Sequence, residues 1–277
     1  MRKFTNELKR VVIKVGSSSI THKSGEINLV KIAELAWELS NLRNNDIEVV
    51  LVSSGAIAAG AKRLNLPDRP RDTIGKQAAA SVGQVALMQT YSRAFSEYNY
   101  MVGQILVTKQ VETDPTMNEN ARNTFHRLLS MNTIPIVNEN DTVSTFEIEF
   151  GDNDTLSAVV ARLIEADLLI MLSDIDGLFD KNPAKHKDAK LIREVTAITE
   201  DIKGSAEGAG SSVGTGGMTT KINAASICMD RGIDVVIANS ENLKVIRDIV
   251  DGEEIGTIFR GNKNVARNRE KSKGCFY

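Results

Sequence analysis

Cysteine, proline and a surplus of charge are all scarce in this chain, and no apolar run is long. The two cysteines, Cys228 inside an apolar run and Cys275 two residues from the end, have no spacing suited to a disulfide framework or a metal site, which fits a reducing compartment. Five prolines and twenty glycines nowhere gather into a linker. Internal repeats and low-complexity tracts are also missing, so the chain reads as one domain with two lobes. The opening stretch MRKFTNELKRVVIKVG is charged, and its apolar run is too short for a signal peptide or a membrane span. No other stretch is long enough, and the expected location is cytoplasmic. Thirty-four Lys and Arg against 36 Asp and Glu leave a formal charge of -2, with a pI near 6.0. No global field therefore recruits nucleic acid or an anionic membrane, and an anionic ligand has to be held by a local site.

What the chain does have is apolar material, 42% of its 277 residues, enough for a sizeable core. Short runs rich in β-branched residues recur at Val11–Val15, Val49–Val52, Met101–Thr108, Ile134–Val137, Leu168–Leu172 and Val235–Ala238. Near-continuous apolar runs suit parallel strands covered on both faces. Helical periodicity fills the gaps, at Asn28–Asn44, Lys76–Ser96, Ala121–Met131, Leu156–Glu165 and Thr219–Arg231. Asp154 and Thr155 supply short polar residues at a helix start, and Gly232 a stop. The alternation predicts a three-layer α/β/α sandwich around a mainly parallel sheet. We expect one domain over residues 1–260, with lobes at about 1–165 and 166–260. A short terminal strand near Thr257–Arg260 precedes a basic, loosely ordered tail over 261–277.

Five segments carry polar residues where strands end. The first run closes on Lys14, Gly16 and the hydroxyls Ser17–Ser19. Glycine at the carboxyl end of such a strand lets backbone N–H groups approach phosphate, with the lysine as a contact. Alone, this segment reads more simply as a snorkelling lysine and a turn. The P-loop pattern is absent. The second, VLVSSGAIAAG, puts Ser53, Ser54 and Gly55 at a strand-to-helix turn suited to an anion or, equally, to close helix packing. In the third, IPIVNENDTVSTFEIEFGDNDTLSA, the clusters Asn138–Asp141 and Asp152–Asp154 flank a possible short hairpin. Acids so placed can hold an ammonium, orient lysines or ligate Mg²⁺. A calcium EF-hand is excluded because its twelve-residue ligand spacing is missing. The fourth, LLIMLSDIDGLFDKNP, ends in Ser173 and Asp174, a nucleotide contact or a plain turn. The fifth, GAGSSVGTGGMTTKINAA, joins a glycine loop to a helix start with Lys221 near its first turn, offering N–H donors and a cation to a triphosphate.

In order along the chain, VVIKVGSSSIT, VVLVSSGAIAAG, KQAAASVGQVALM, NARNTFHRLL, IPIVNENDTV, GDNDTLSA, LLSDIDGLFDKNP and GTGGMTTKINAA resemble the amino acid kinase family. Within it they resemble the branch that phosphorylates glutamate at the start of proline synthesis. The likeness covers about residues 8–260. Many bacterial members add a C-terminal RNA-associated PUA domain, and this chain resembles the short form without one. The resemblance implies that Lys14 and Lys221 contact the transferring phosphoryl group and that Asp154 orients both lysines. It assigns glutamate to Ser54, Asp141 and Asn153, with Gly55, Asn138 and Asp152 beside them. ATP is assigned to Lys14, Gly16, Ser173 and Asp174 and to the loop Thr215, Gly216, Gly217, Met218, Thr219, Thr220 and Lys221. Mg²⁺ is expected on the ATP phosphates rather than on a protein cage.

The substrate's carboxylate, with a reference pKa of about 4.3, is already ionised at neutral pH, so the chemistry needs no general base. Positioning and charge neutralisation are what remain. Free glutamate suits the acid clusters better than an N-acetylated substrate, which presents no ammonium. The family further implies feedback by proline near Lys76–Gln84, homo-oligomers, and possible hand-over of the labile product to glutamate-5-semialdehyde dehydrogenase.

Overall fold

The computed structural model describes residues 1–144, 153–207 and 217–265. Each predicted β-branched run is a strand: β1 (Arg10–Val15), β2 (Glu48–Ser53), β3 (Met101–Val107), β4 (Thr133–Glu139), β5 (Leu168–Ser173) and β7 (Asp234–Asn239). The short β6 (Glu194–Val195) and β8 (Thr257–Phe259) complete an eight-stranded sheet in the order β3-β4-β2-β1-β5-β7-β8-β6. From β3 to β7 every pairing is parallel; β8 runs antiparallel to β7 and carries β6 parallel to itself. Strand β1 is central, with Lys14 level with Val52 on one side and Met171 on the other.

Helices cover both faces: α1 (Ser17–Ile20), α2 (Leu29–Asn44), α3 (Ala56–Arg63), α4 (Thr73–Ser96), α5 (Gln110–Thr113), α6 (Pro115–Ser130), α7 (Asn153–Leu163), α8 (Glu200–Glu207), α9 (Met218–Met229) and α10 (Val245–Val250). The sandwich predicted from periodicity is therefore the fold. Two helices begin earlier than periodicity indicates. Asp114 caps α6 through the Thr116 and Met117 N–H groups, with Pro115 at the first helical position. Asp72 caps α4 through Gly75 N–H. Both starts rest on cap chemistry, which apolar spacing does not report.

Alternation along β1 decides where the chemistry sits. Val11, Ile13 and Val15 join the core shared with Leu35 and Leu39 of α2, whereas Val12 joins the core with Ala158 and Val160 of α7 and Ile222 of α9. Successive side chains on a strand point to opposite faces, so Lys14 shares the α7 and α9 side with Val12. On the other face α3 and α4 cross in close contact. A Cβ at Gly60 would fall 1.7 Å from the Ala79 carbonyl oxygen, and one at Gly83 would fall 1.8 Å from that of Ala56. Most of the possible hairpin after β4, the glycine loop before Gly217 and the tail from 266 onward lie outside the described residues.

Candidate active site

The carboxyl ends of β1, β2, β4 and β5 open onto the amino ends of α7 and α9. Asp154, the second residue of α7, is completely buried. Its Oδ1 lies 2.6 Å from Lys14 Nζ and its Oδ2 lies 3.0 Å from Lys221 Nζ. The Thr220 hydroxyl also reaches Oδ2, at 2.9 Å. Both lysine side chains are themselves under a tenth exposed. Burial alone would raise the Asp154 pKa, but the Lys14 and Lys221 ammonium groups outweigh it and hold the carboxyl far below the usual range. Two ammoniums share one carboxylate, so the three side chains together carry a net positive charge.

A second group lies at the ends of β2 and β4. Asn153 Nδ2 donates to Ser54 Oγ at 2.7 Å, to the Ser53 carbonyl at 3.2 Å and to Asn138 Oδ1 at 3.1 Å. Its own Oδ1 is buried with no hydrogen-bond partner among the described residues, as is one oxygen of Asp141. Asp141 is itself buried. Desolvation, and then the nearby Glu139 charge, push its carboxyl up to about 7 against a smaller pull from Arg69. Gly55 caps α3 at φ +98, a left-handed conformation that favours glycine. A Cβ there would press on Ile20 and Thr21. The predicted residues Ser54, Gly55, Asn138, Asp141 and Asn153 thus meet at one end of the sheet.

On the other flank the chain leaves β1 through Gly16, where a Cβ would stand 4.0 Å from Lys14 Nζ. Gly217 precedes α9, and no described residue comes within 4 Å of its Cβ position. Ser173 ends β5 and donates to Asp174 at 3.1 Å; Asp174 is exposed. Thr219 is exposed, whereas Met218 buries its side chain in the core. Asp152, Thr215 and Gly216 lie outside the described residues. Three further neighbours make contacts there. Glu139 is buried and accepts from Ser144 at 2.5 Å, Tyr91 hydrogen-bonds Ser53 at 2.9 Å, and Gln84 accepts from Asn138. Glu139 lay within the NEND cluster; Tyr91 and Gln84 sit inside a helical pattern with nothing to distinguish them from surface polar residues.

The sequence model of the amino acid kinase family matches residues 9–239. The chain belongs to the amino acid kinase family. A glutamate 5-kinase of Clostridium acetobutylicum is 53% identical over 257 residues, covering 93% of this chain and 96% of that protein. A glutamate 5-kinase of Listeria monocytogenes is 50% identical over 267 residues, covering 95% and 97%. Among solved structures, UMP kinase from Bacillus anthracis matches at TM-score 0.61 with 17% identity, over 93% of this chain and 98% of that one. UMP kinase from Ureaplasma parvum matches at 0.60 with 16% identity, over 91% and 99%. That likeness establishes the amino acid kinase fold alone, since a fold does not name a substrate. No described helix is long and apolar enough to cross a membrane.

Proposed function

We propose that this chain transfers the γ-phosphoryl group of ATP to the side-chain carboxylate of L-glutamate, giving ADP and L-glutamyl 5-phosphate for proline synthesis. The observation that carries the reading is the buried Lys14–Asp154–Lys221 trio beside two buried acceptors, Asn153 Oδ1 and Asp141 Oδ1, that have no hydrogen-bond partner among the described residues. The relatives at about half identity, named glutamate 5-kinases, support it.

Each group has a chemical reason to be there. The acceptor carboxylate is ionised at neutral pH and attacks without deprotonation, so the site supplies alignment and positive charge. Lys14 and Lys221, locked by Asp154, neutralise charge on the migrating phosphoryl oxygens. The residues fit a polyphosphate: two buried ammoniums meet at Asp154, Lys14 Nζ lies 4.0 Å from the Cβ position of Gly16, and Gly217 caps the start of the helix that carries Lys221. Mg²⁺ carried on the nucleotide's phosphates would add to the neutralisation that Lys14 and Lys221 provide. Ser173 and Asp174 contact the nucleotide, together with the loop from Thr215. Asp141 and Asn153 accept the substrate's ammonium, which favours free glutamate over an N-acetylated acid, while Ser54 and Gly55 hold the turn against it. Asp152, outside the described residues, is assigned to the same substrate.

In this reading residues 1–165 hold the amino acid and 166–260 the nucleotide, and the enzyme works in the cytoplasm. Proline acts as feedback inhibitor near Lys76–Gln84, copies assemble as homo-oligomers, and the product passes to glutamate-5-semialdehyde dehydrogenase. The test is ADP release by the purified chain with ATP, Mg²⁺ and, in turn, glutamate, aspartate, N-acetylglutamate and UMP. Glutamate is expected to be the preferred acceptor by at least tenfold in kcat/KM; preference for any other overturns the proposal.

A further inference from the structure

Helix α4 reaches the candidate amino-acid pocket through one side chain. Gln84, half-buried on α4, presents its Oε1 to Asn138 Nδ2 at 2.9 Å. Asn138 is almost fully buried. Its amide nitrogen is thereby engaged from the helix side, and its Oδ1 faces two donors, Glu139 N–H at 2.9 Å and Asn153 Nδ2 at 3.1 Å. Asn153 in turn directs all three contacts of its amide nitrogen into the protein, at Ser53, Ser54 and Asn138. Its Oδ1 is left aimed away from them, buried and without a partner among the described residues. The three amides form a relay of fixed polarity, each donor meeting an acceptor. Only one assignment of oxygen and nitrogen satisfies every contact in it, because a carbonyl oxygen cannot donate and an amide nitrogen cannot accept.

We infer that Gln84 is a positioning residue for the amino acid, holding Asn138 so that Asn153 presents a carbonyl oxygen, not an amide nitrogen, to the substrate's ammonium. Gln84 acts through Asn138, and it acts as an acceptor. This rests on the reading that a free amino acid occupies the pocket. It goes beyond that reading by giving α4 a part in substrate selection. Losing the acceptor leaves the buried Asn138 amide nitrogen short of a partner, and such a buried polar group settles into whatever contacts remain. The cost falls on ground-state capture of the amino acid, since neither lysine nor Asp154 touches the relay by any described hydrogen bond.

The test compares wild type with Gln84→Leu, which fills similar space with no acceptor, and Gln84→Glu, which keeps an acceptor oxygen and removes the amide donor. For each, KM for glutamate, KM for ATP, kcat and the thermal midpoint are measured. Gln84→Leu is expected to raise KM for glutamate roughly tenfold, the effect of one buried hydrogen bond. Its KM for ATP should stay close to wild type while its midpoint falls by a few degrees, the cost of one unsatisfied buried donor, and Gln84→Glu should recover most of both losses. An unchanged KM for glutamate in Gln84→Leu overturns the proposal, as does a parallel rise for ATP. Gln84→Glu as impaired as Gln84→Leu also overturns it, because Gln84 would then act through its own amide donor. A wild-type enzyme that does not accept glutamate refutes the substrate reading instead, and this inference with it.

Discussion

Exchanging Asp154 for asparagine keeps the size of the side chain and removes the carboxylate that bridges two buried ammoniums. In the native protein those nitrogens lie 2.6 and 3.0 Å from opposite carboxylate oxygens, and the carboxylate is fully buried. Breaking a buried ion pair by neutralising one partner costs roughly 3–5 kcal/mol, because the remaining charge is stranded without compensation. Here one carboxylate compensates two ammoniums at once, so the whole of that range applies. For a chain of this size it corresponds to a fall in thermal midpoint of about 6–20 °C. The sign of the pH dependence follows from the lowered Asp154 pKa. A carboxyl held below its ordinary 3.8 stabilises the fold at every pH above that value, and the contribution disappears as pH falls through the still lower folded value. The gap between wild type and Asp154→Asn should therefore be constant from neutral pH down to about 4 and narrow below it. Polyphosphate supplies the missing negative charge, so ATP should stabilise the variant more than it stabilises wild type. Differential scanning fluorimetry with and without ATP reads both effects. A midpoint within about 2 °C of wild type at neutral pH would refute the claim that this carboxylate compensates the two lysines.

Lys14→Ala and Lys221→Ala should each lower kcat at least ~100-fold, the loss expected for one transition-state donor; steady-state ADP release checks this, and near-native turnover contradicts the role. Asp141, pushed up to about 7 chiefly by burial, captures an ammonium only when ionised. kcat/KM for glutamate should fall about tenfold per unit below pH 7, and Asp141→Asn should lower it and flatten that limb; an unaltered limb removes the assignment. Gly83→Ala drives a methyl group into the Ala56 carbonyl and should destabilise the protein by about 3 kcal/mol while loosening the Ser54–Gly55 turn. Denaturant melts and KM for glutamate report the two effects, and a wild-type midpoint denies that the helix crossing is as tight as described.

Much of the fold was legible because its strands are buried on both faces. Val11–Val15, Val49–Val52 and Leu168–Leu172 stand out as apolar β-branched runs for the same reason that they occupy the middle of a parallel sheet. The candidate site was legible where polar residues gather at strand ends, as at Ser54 and Asn138–Asp141. The pairing of Lys14 with Lys221 through Asp154 came from family resemblance rather than from spacing, since the three are scattered over more than two hundred positions. Short elements such as β6 and α10 carry too few residues to show a period. The relay from Gln84 was illegible for a physical reason: a glutamine on a half-exposed helical position looks like solvent-facing surface until the sheet behind it brings Asn138 within 2.9 Å. Likewise Gly60 and Gly83 lie on successive helices, and nothing in either helix alone announces that the two backbones touch.

The direct evidence of phosphoryl transfer to a carboxylate is the acyl phosphate itself. With hydroxylamine present, the purified enzyme supplied with ATP, Mg²⁺ and glutamate should form γ-glutamyl hydroxamate in step with ADP, and the Lys221→Ala enzyme should form almost none. ADP released without hydroxamate, or hydroxamate formed equally well by the lysine variant, would contradict it.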